Sequence, residues 1–166
     1  MAEVRTPQTI ECRRATERDL DGIFELWWEM QSSHVAYDPL WYGPRPKSEC
    51  KPACIERFRD KLSDPNSLIF IAEACGRPVG MVLGCVADRP PVVTQFKVLA
   101  IENAVVTEGF RRRGILRELM ALITAEARAR GARAIKFCVH SANPAREAYE
   151  KLGFTCQELG MIKYLG

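Results

Sequence analysis

The run Val105-Val106-Thr107-Glu108-Gly109-Phe110-Arg111-Arg112-Arg113-Gly114-Ile115-Leu116 constrains this chain more than any other stretch. It reads as a strand that enters a tight basic turn and passes directly into a helix. The first amides of a helix have no internal acceptor and sit at the positive end of its dipole. Such a turn suits an anion such as a pyrophosphate, and Gly114 lets the oxygens approach the backbone closely. Arg111, Arg112, Arg113 and Arg117 add positive charge around it. Read alone, the segment is equally a solvated basic turn with a glycine at a helix start. The commoner phosphate loops do not fit: there is no glycine-lysine-serine/threonine ending and no three-glycine dinucleotide fingerprint.

The remaining elements follow from periodicity. Ile10–Arg14 predicts a short strand, and Thr16 or Asp19 then caps a helix to about Met30, with Leu20, Ile23, Phe24, Trp27 and Met30 at helical spacing. From Gln31 to Lys47, Pro39, Gly43, Pro44 and Pro46 fall among Tyr37, Trp41 and Tyr42, the pattern of an ordered loop. A helix is expected over about Ser48–Leu62. Strands at Ser67–Ala74 and Val79–Ala87 flank the hairpin turn Cys75-Gly76-Arg77-Pro78, and strand pattern resumes from Thr94 to Thr107. Leu116, Leu119, Met120, Ile123 and Ala127 line one face of a helix over Gly114–Arg130, which Gly131 closes. Ala134–Val139 reads as a strand, Pro144–Leu152 as a helix stopped by Gly153, and Phe154–Leu165 as a last strand. No repeat or linker divides the chain, so residues 1–166 are expected to form a single α+β domain with its core over about residues 10–165.

Composition narrows the function classes. A chain of 166 residues with 47% hydrophobic content can bury a core unaided. The net charge of +3 is spread along the sequence, which argues against a nucleic-acid-binding protein, though it can help draw in an anionic ligand. The cysteines, Cys12, Cys50, Cys54, Cys75, Cys85, Cys138 and Cys156, are odd in number and scattered, and no signal-peptide pattern is present. Reduced thiols in the cytoplasm are the expectation. Only Cys50 and Cys54 lie close together, without a histidine nearby, so no metal site is expected. No apolar run reaches membrane-spanning length, so no membrane partner is expected.

A second segment, Ala145-Arg146-Glu147-Ala148-Tyr149-Glu150-Lys151-Leu152-Gly153-Phe154, completes a pair. Together the two segments resemble the GCN5-related N-acetyltransferase (GNAT) family. There an Arg/Gln-x-x-Gly-x-Gly/Ala pattern binds the pyrophosphate of coenzyme A, and a downstream Ala-x-x-x-Tyr-x-x-x-Gly-Phe holds the thiol end. The resemblance covers the order of elements from about Ile10 to Leu165. It implies the GNAT acyl-coenzyme A fold, a central mostly antiparallel sheet flanked by helices, with acetyl-coenzyme A as co-substrate and an amine as acceptor. It further implies that Arg111 takes the first motif position and Gly114 the glycine, with backbone amides of Arg112, Arg113, Gly114, Ile115, Leu116 and Arg117 facing the pyrophosphate. Ala104, Val105 and Val106 match the strand whose main chain pairs with the pantetheine arm, and Tyr149 the acid that protonates the departing thiolate. Leu116 replaces the usual glycine or alanine, and Asn143 lies one position nearer Tyr149 than the cofactor-contacting asparagine of the family. Dimers through the last strand are common in such folds, and the sequence leaves a homodimer open.

Direct acetyl transfer to an amine requires loss of a proton from an ammonium with pKa about 10.4, stabilisation of an oxyanion, and protonation of a thiolate. For Tyr149 the plainer alternative is a packed helix aromatic. Glu102 is the candidate base, since strand alternation puts residues 102, 104 and 106 on one face; a carboxylate facing solvent is the alternative. His140 is a second candidate, with a pKa suited to neutral pH. The aromatic loop is a candidate acceptor wall: Tyr37, Trp41 and Tyr42 to cage a cationic amine, Asp38 or Glu29 to pair with its charge, and His34 as a contact. Packing of these aromatics against the core is the other reading. Two different classes remain beside an N-acetyltransferase: an acyl-coenzyme A sensor or scaffold without turnover, and a nucleotide-binding module.

Overall fold

A computed structural model describes residues 9–165. In chain order the elements are β1 (Ile10–Arg14), a 3-10 turn (Glu17–Asp19), α1 (Leu20–His34), α2 (Pro39–Tyr42), α3 (Lys47–Ser63), β2 (Ser67–Ala74), β3 (Arg77–Asp88), β4 (Lys97–Val106), a 3-10 turn (Glu108–Phe110), α4 (Ile115–Ala129), β5 (Ala132–Lys136) and α5 (Arg146–Lys151). The strands form one sheet in the order β1-β2-β3-β4-β5, antiparallel except for the parallel pair β4 and β5.

The sheet is buried on both faces, which is why β2 and the centre of β3 are almost continuously apolar. One face packs against α4: Leu68, Phe70, Val82, Leu99 and Ile101 meet Leu119, Met120 and Ile123. The other packs against α1 and α3: Ile69, Ile71, Met81, Leu83 and Val105 meet Ile23, Leu26 and Phe58. An ion network locks the entry to α1. Arg13 donates two hydrogen bonds of 2.8 Å to the carboxylate of Asp19, which also accepts the Thr16 amide, and Arg13 reaches Glu73 on β2. Cys75 and Gly76, both at positive φ, make the β2–β3 turn.

Three expectations are corrected. The stretch Gln31–Lys47 is largely helical: α1 runs on to His34, and α2 begins where the Asp38 carboxylate caps the amides of Leu40 and Trp41. The tail Phe154–Leu165 forms no strand. Its largest apolar residues face solvent, so no buried surface selects a strand register. The third correction concerns Glu102 and comes from a bulge in β4.

Leu83 pairs with Asn103, but the next residue, Gly84, pairs with Ile101, so Glu102 is an extra residue in β4. The bulge resets the alternation. Leu99, Ile101, Ala104 and Val106 face α4, whereas Val105 and, opposite Leu83, Asn103 face α1 and α3. Glu102 points to α3, where it pairs with Arg57 at 3.0 Å and with Lys61. It therefore lies on the opposite face from the side chains of Ala104 and Val106. Among the described residues, no helix is long and apolar enough to cross a membrane.

Candidate functional site

Two features of β4 create an opening. β5 pairs with β4 only over Lys97–Ala100, so the segment from Ile101 to Val106 keeps β3 on one side and, among the described residues, has no strand on the other. Thr107 donates its amide to the Val79 carbonyl at 2.9 Å, and the Val105 carbonyl lies against Gly80. The backbone groups of Val105 and Thr107 thus face β3, and alternation turns those of Ala104 and Val106 to the open edge. Of the three residues expected to pair with a pantetheine arm, Ala104 and Val106 present backbone groups there. Val105 turns its backbone to β3 and its side chain into the core.

The chain then enters the basic turn. Arg112 and Gly114 both adopt positive φ, 62° and 82°, a conformation that makes successive amides converge. Gly114 is the N-cap of α4 and uses no side chain to cap it. Phe110 and Arg111 donate their amides to Thr107 and Glu108, and Glu118 donates to Gly114. Between them, the amides of Arg112, Arg113, Gly114, Ile115, Leu116 and Arg117 find no backbone acceptor among the described residues. Leu116 is half-buried against the α4 core, so its side chain points away from these amides into packing.

The arginines differ. Arg113 folds back, donating to the Gly109 carbonyl at 2.9 Å with its guanidinium 4.9 Å from the Phe110 ring centre. Arg111 donates from Nε to the Val106 carbonyl at 2.9 Å and approaches Glu29 to 3.5 Å. Arg112 and Arg117 make no salt bridge among the described residues. Glu29, from α1, accepts the Thr107 hydroxyl at 2.5 Å and the Glu108 amide at 3.1 Å.

Tyr149, on α5, lies beyond the end of β5, its ring edge-on to Phe137 with centres 4.4 Å apart and near Phe154. The ring is buried, and its hydroxyl makes no hydrogen bond among the described residues. Burial pushes the phenol pKa up from its ordinary value, so it stays protonated through neutral pH. Asn143 serves the turn before α5: its side-chain oxygen accepts the Ala145 amide at 2.9 Å and its carbonyl the Arg146 amide.

The expected acceptor wall divides. His34, Tyr37, Tyr42 and His140 come together: Tyr37 stacks on His140 at 5.2 Å and 8°, and His34 lies 5.5 and 5.2 Å from Tyr37 and Tyr42. Burial, then the nearby His140, lowers the His34 pKa. Asp38 is committed to its cap and to the hydroxyl of Tyr164, which donates to it at 2.5 Å. Trp41 stands away from the group, 64% exposed.

Sequence reading passed over Asn103, Arg57 and Lys61. The side-chain oxygen of Asn103 is the one buried polar side-chain atom without a partner among the described residues. Its signal in the sequence was a second polar residue directly after Glu102 in the middle of an apolar strand. Among the described residues no three His, Cys, Asp or Glu side chains gather to hold a metal ion.

Compared with known proteins, residues 20–154 match the model of the acetyltransferase (GNAT) family. A solved structure of a BH1408 protein mutant from Bacillus halodurans is similar with TM-score 0.80 and 22% identity, over 93% of this chain and 99% of that one. An aminoglycoside N-acetyltransferase, AAC(6')-Iy, in complex with CoA gives TM-score 0.76 and 19% identity, over 98% of each chain. Glucosamine-6-phosphate N-acetyltransferase from Arabidopsis thaliana gives TM-score 0.73 and 17% identity, over 96% of this chain and 100% of that one. These likenesses are of fold. No curated protein sequence matches.

Proposed function

Because the chain belongs to the GNAT family of acetyltransferases, we propose that it is a cytoplasmic N-acetyltransferase, a single domain that moves an acetyl group from acetyl-coenzyme A to a primary amine of a small molecule or peptide. One observation carries this reading: consecutive amides from Arg112 to Arg117 without backbone acceptors lie beside the open edge of β4. Two phosphates answer the amides, and an amide-bearing arm answers the edge. A donor combining both is acetyl-coenzyme A, and Arg112 and Arg117 have charge to spare for it.

In this reading the amine attacks the thioester carbonyl directly, and the backbone amide of Ala104 or Val106 stabilises the oxyanion. Tyr149 gives its proton to the leaving thiolate; a desolvated phenol suits an acid that must stay protonated until then. Glu102 is the proposed base, and it reaches the amine's proton only through water, because the bulge turns it to the α3 face and Arg57 and Lys61 occupy its two oxygens. His140 is the alternative base, and the acceptor wall is the cluster of His34, Tyr37 and Tyr42 beside it, which leaves out exposed Trp41 and an Asp38 held by its cap and Tyr164.

Release of free thiol from acetyl-coenzyme A, followed with a panel of amines and with mass spectrometry of the products, tests the reading. Acetylated amine in step with thiol supports it. Tight coenzyme binding with no thiol release from any amine would instead make the chain a sensor or scaffold.

A further inference from the structure

Arg111 occupies a position that a donor must contest. Its Nε–H is spent on the Val106 carbonyl at 2.9 Å, one of the backbone groups on the open edge of β4. Glu29 stands behind the guanidinium at 3.5 Å, and Glu29 is fixed in turn by the Thr107 hydroxyl and the Glu108 amide. The carboxylate thus reaches from α1 to the strand end, to the turn and to the arginine. Both charged side chains are at least one-third exposed, and pairs of that kind are weak enough to exchange.

We infer that Glu29 is a positioning residue that parks Arg111 on the β4 edge, and that donor binding exchanges Arg111 from the Val106 carbonyl and Glu29 to a phosphate. The inference rests on acetyl-coenzyme A being the donor. Its logic is competition. An N–H of the donor arm that pairs with the Val106 carbonyl displaces the Arg111 Nε–H, and the released guanidinium gains a doubly charged partner within the turn it already belongs to. Glu29 opposes the exchange twice, by attracting Arg111 and by repelling phosphate. A donor without phosphates gives Arg111 nothing to exchange for.

Glu29→Gln tests this, because the amide oxygen can still accept from the Glu108 amide and its NH2 can donate to the Thr107 hydroxyl, while the charge is lost. The KM for acetyl-coenzyme A is expected to fall about two- to fivefold, the scale of one exposed ion pair. The KM for S-acetylpantetheine, which lacks the pyrophosphate, and for the amine should stay within about twofold on the same grounds. In an Arg111→Ala background the Glu29→Gln gain should shrink, the non-additivity expected of contacting residues. A rise in KM for both thioesters would make Glu29 a prop of the turn and overturn the exchange, as would an unchanged KM for acetyl-coenzyme A. Both outcomes leave wild-type turnover intact, whereas a wild type without thiol release removes the donor reading and this inference together.

Discussion

Tyr149 is a packed side chain whose packing bears directly on the acid role proposed for it. Its ring lies against Phe137 and Phe154, and that burial raises the phenol pKa. A packed aromatic and the proposed acid are therefore compatible readings, because packing sets the acidity. Tyr149→Phe keeps the ring and removes only the hydroxyl, which has no protein partner among the described residues to orphan. Folding should be unaffected, with thermal midpoint and KM for acetyl-coenzyme A close to wild type. Turnover should drop about 10²- to 10⁴-fold, the usual contribution of a positioned proton donor. Equal turnover in the two proteins would return Tyr149 to a purely structural role. A second residue-scale test concerns Asp19, whose carboxyl the Arg13 guanidinium holds down to about 2 against desolvation. A carboxyl depressed in the folded state stabilises the fold above its unfolded pKa of about 4 and loses that contribution as pH falls toward 2. The loss is about 2 kcal/mol for a side chain this buried. Denaturant titrations at pH 6 and pH 2.5 should show it in the wild type, and Asp19→Asn should be less stable at pH 6 with a flatter acid limb.

Among the elements, β4 decides the geometry of the site, and its bulge is the part least legible in the sequence. Strand alternation read through Ile101-Glu102-Asn103-Ala104 in register puts Glu102 with Ala104, and nothing in those residue types announces an extra residue. The cause lies across the sheet, at Gly84. A Cβ there would come within 2.9 Å of the Ala100 carbonyl and of Leu99, so the bulged chain can approach only a glycine. Gly84→Ala should cost about 1–3 kcal/mol, the range for overpacking a filled interior. It should also weaken activity beyond that loss by shifting Glu102 and the open edge; chemical denaturation and turnover at a temperature where both proteins are folded would separate the effects. Elements with strong local signals were readable: the β2–β3 hairpin from its turn, α4 from its apolar stripe, and the basic turn from Gly114 at the strand-to-helix junction. Loop 31–47 was misjudged because proline was read as a breaker, whereas Pro39 occupies the first turn of α2, where its missing N–H costs nothing. The Arg111–Glu29 contact joins residues far apart in sequence and carried no local signal at all.

At the scale of the whole molecule, the two faces of the sheet are covered, while among the described residues its edge strands β1 and β5 have no outer strand. β5 pairs with β4 alone, and its outer edge meets no strand among the described residues. The segment that follows α5 leaves Leu159, Met161 and Leu165 at least 85% exposed, with Ile162 and Tyr164 partly so. A groove of about 520 Å³ lies alongside, between α4 and the start of the tail, with Met120, Ala121, Ile135, Leu152 and Phe154 on its apolar wall. An apolar segment and an open strand edge on one chain are complementary to the same features on a second copy, and an isologous contact can satisfy both at once. The tail is also tied to α2, since Tyr164 donates to its capping residue Asp38 and that carboxylate pushes the phenol pKa up to about 12. Self-association through the tail would therefore bear on the loop that carries α2. Light scattering across a concentration series should show a dimer for the wild type. Met161→Glu, which puts a charge on the exposed apolar face, should shift it to monomer and change the KM for the amine more than that for acetyl-coenzyme A. A monomer at every concentration would overturn self-association through the tail, and the amine KM of Met161→Glu would then stay at the wild-type value.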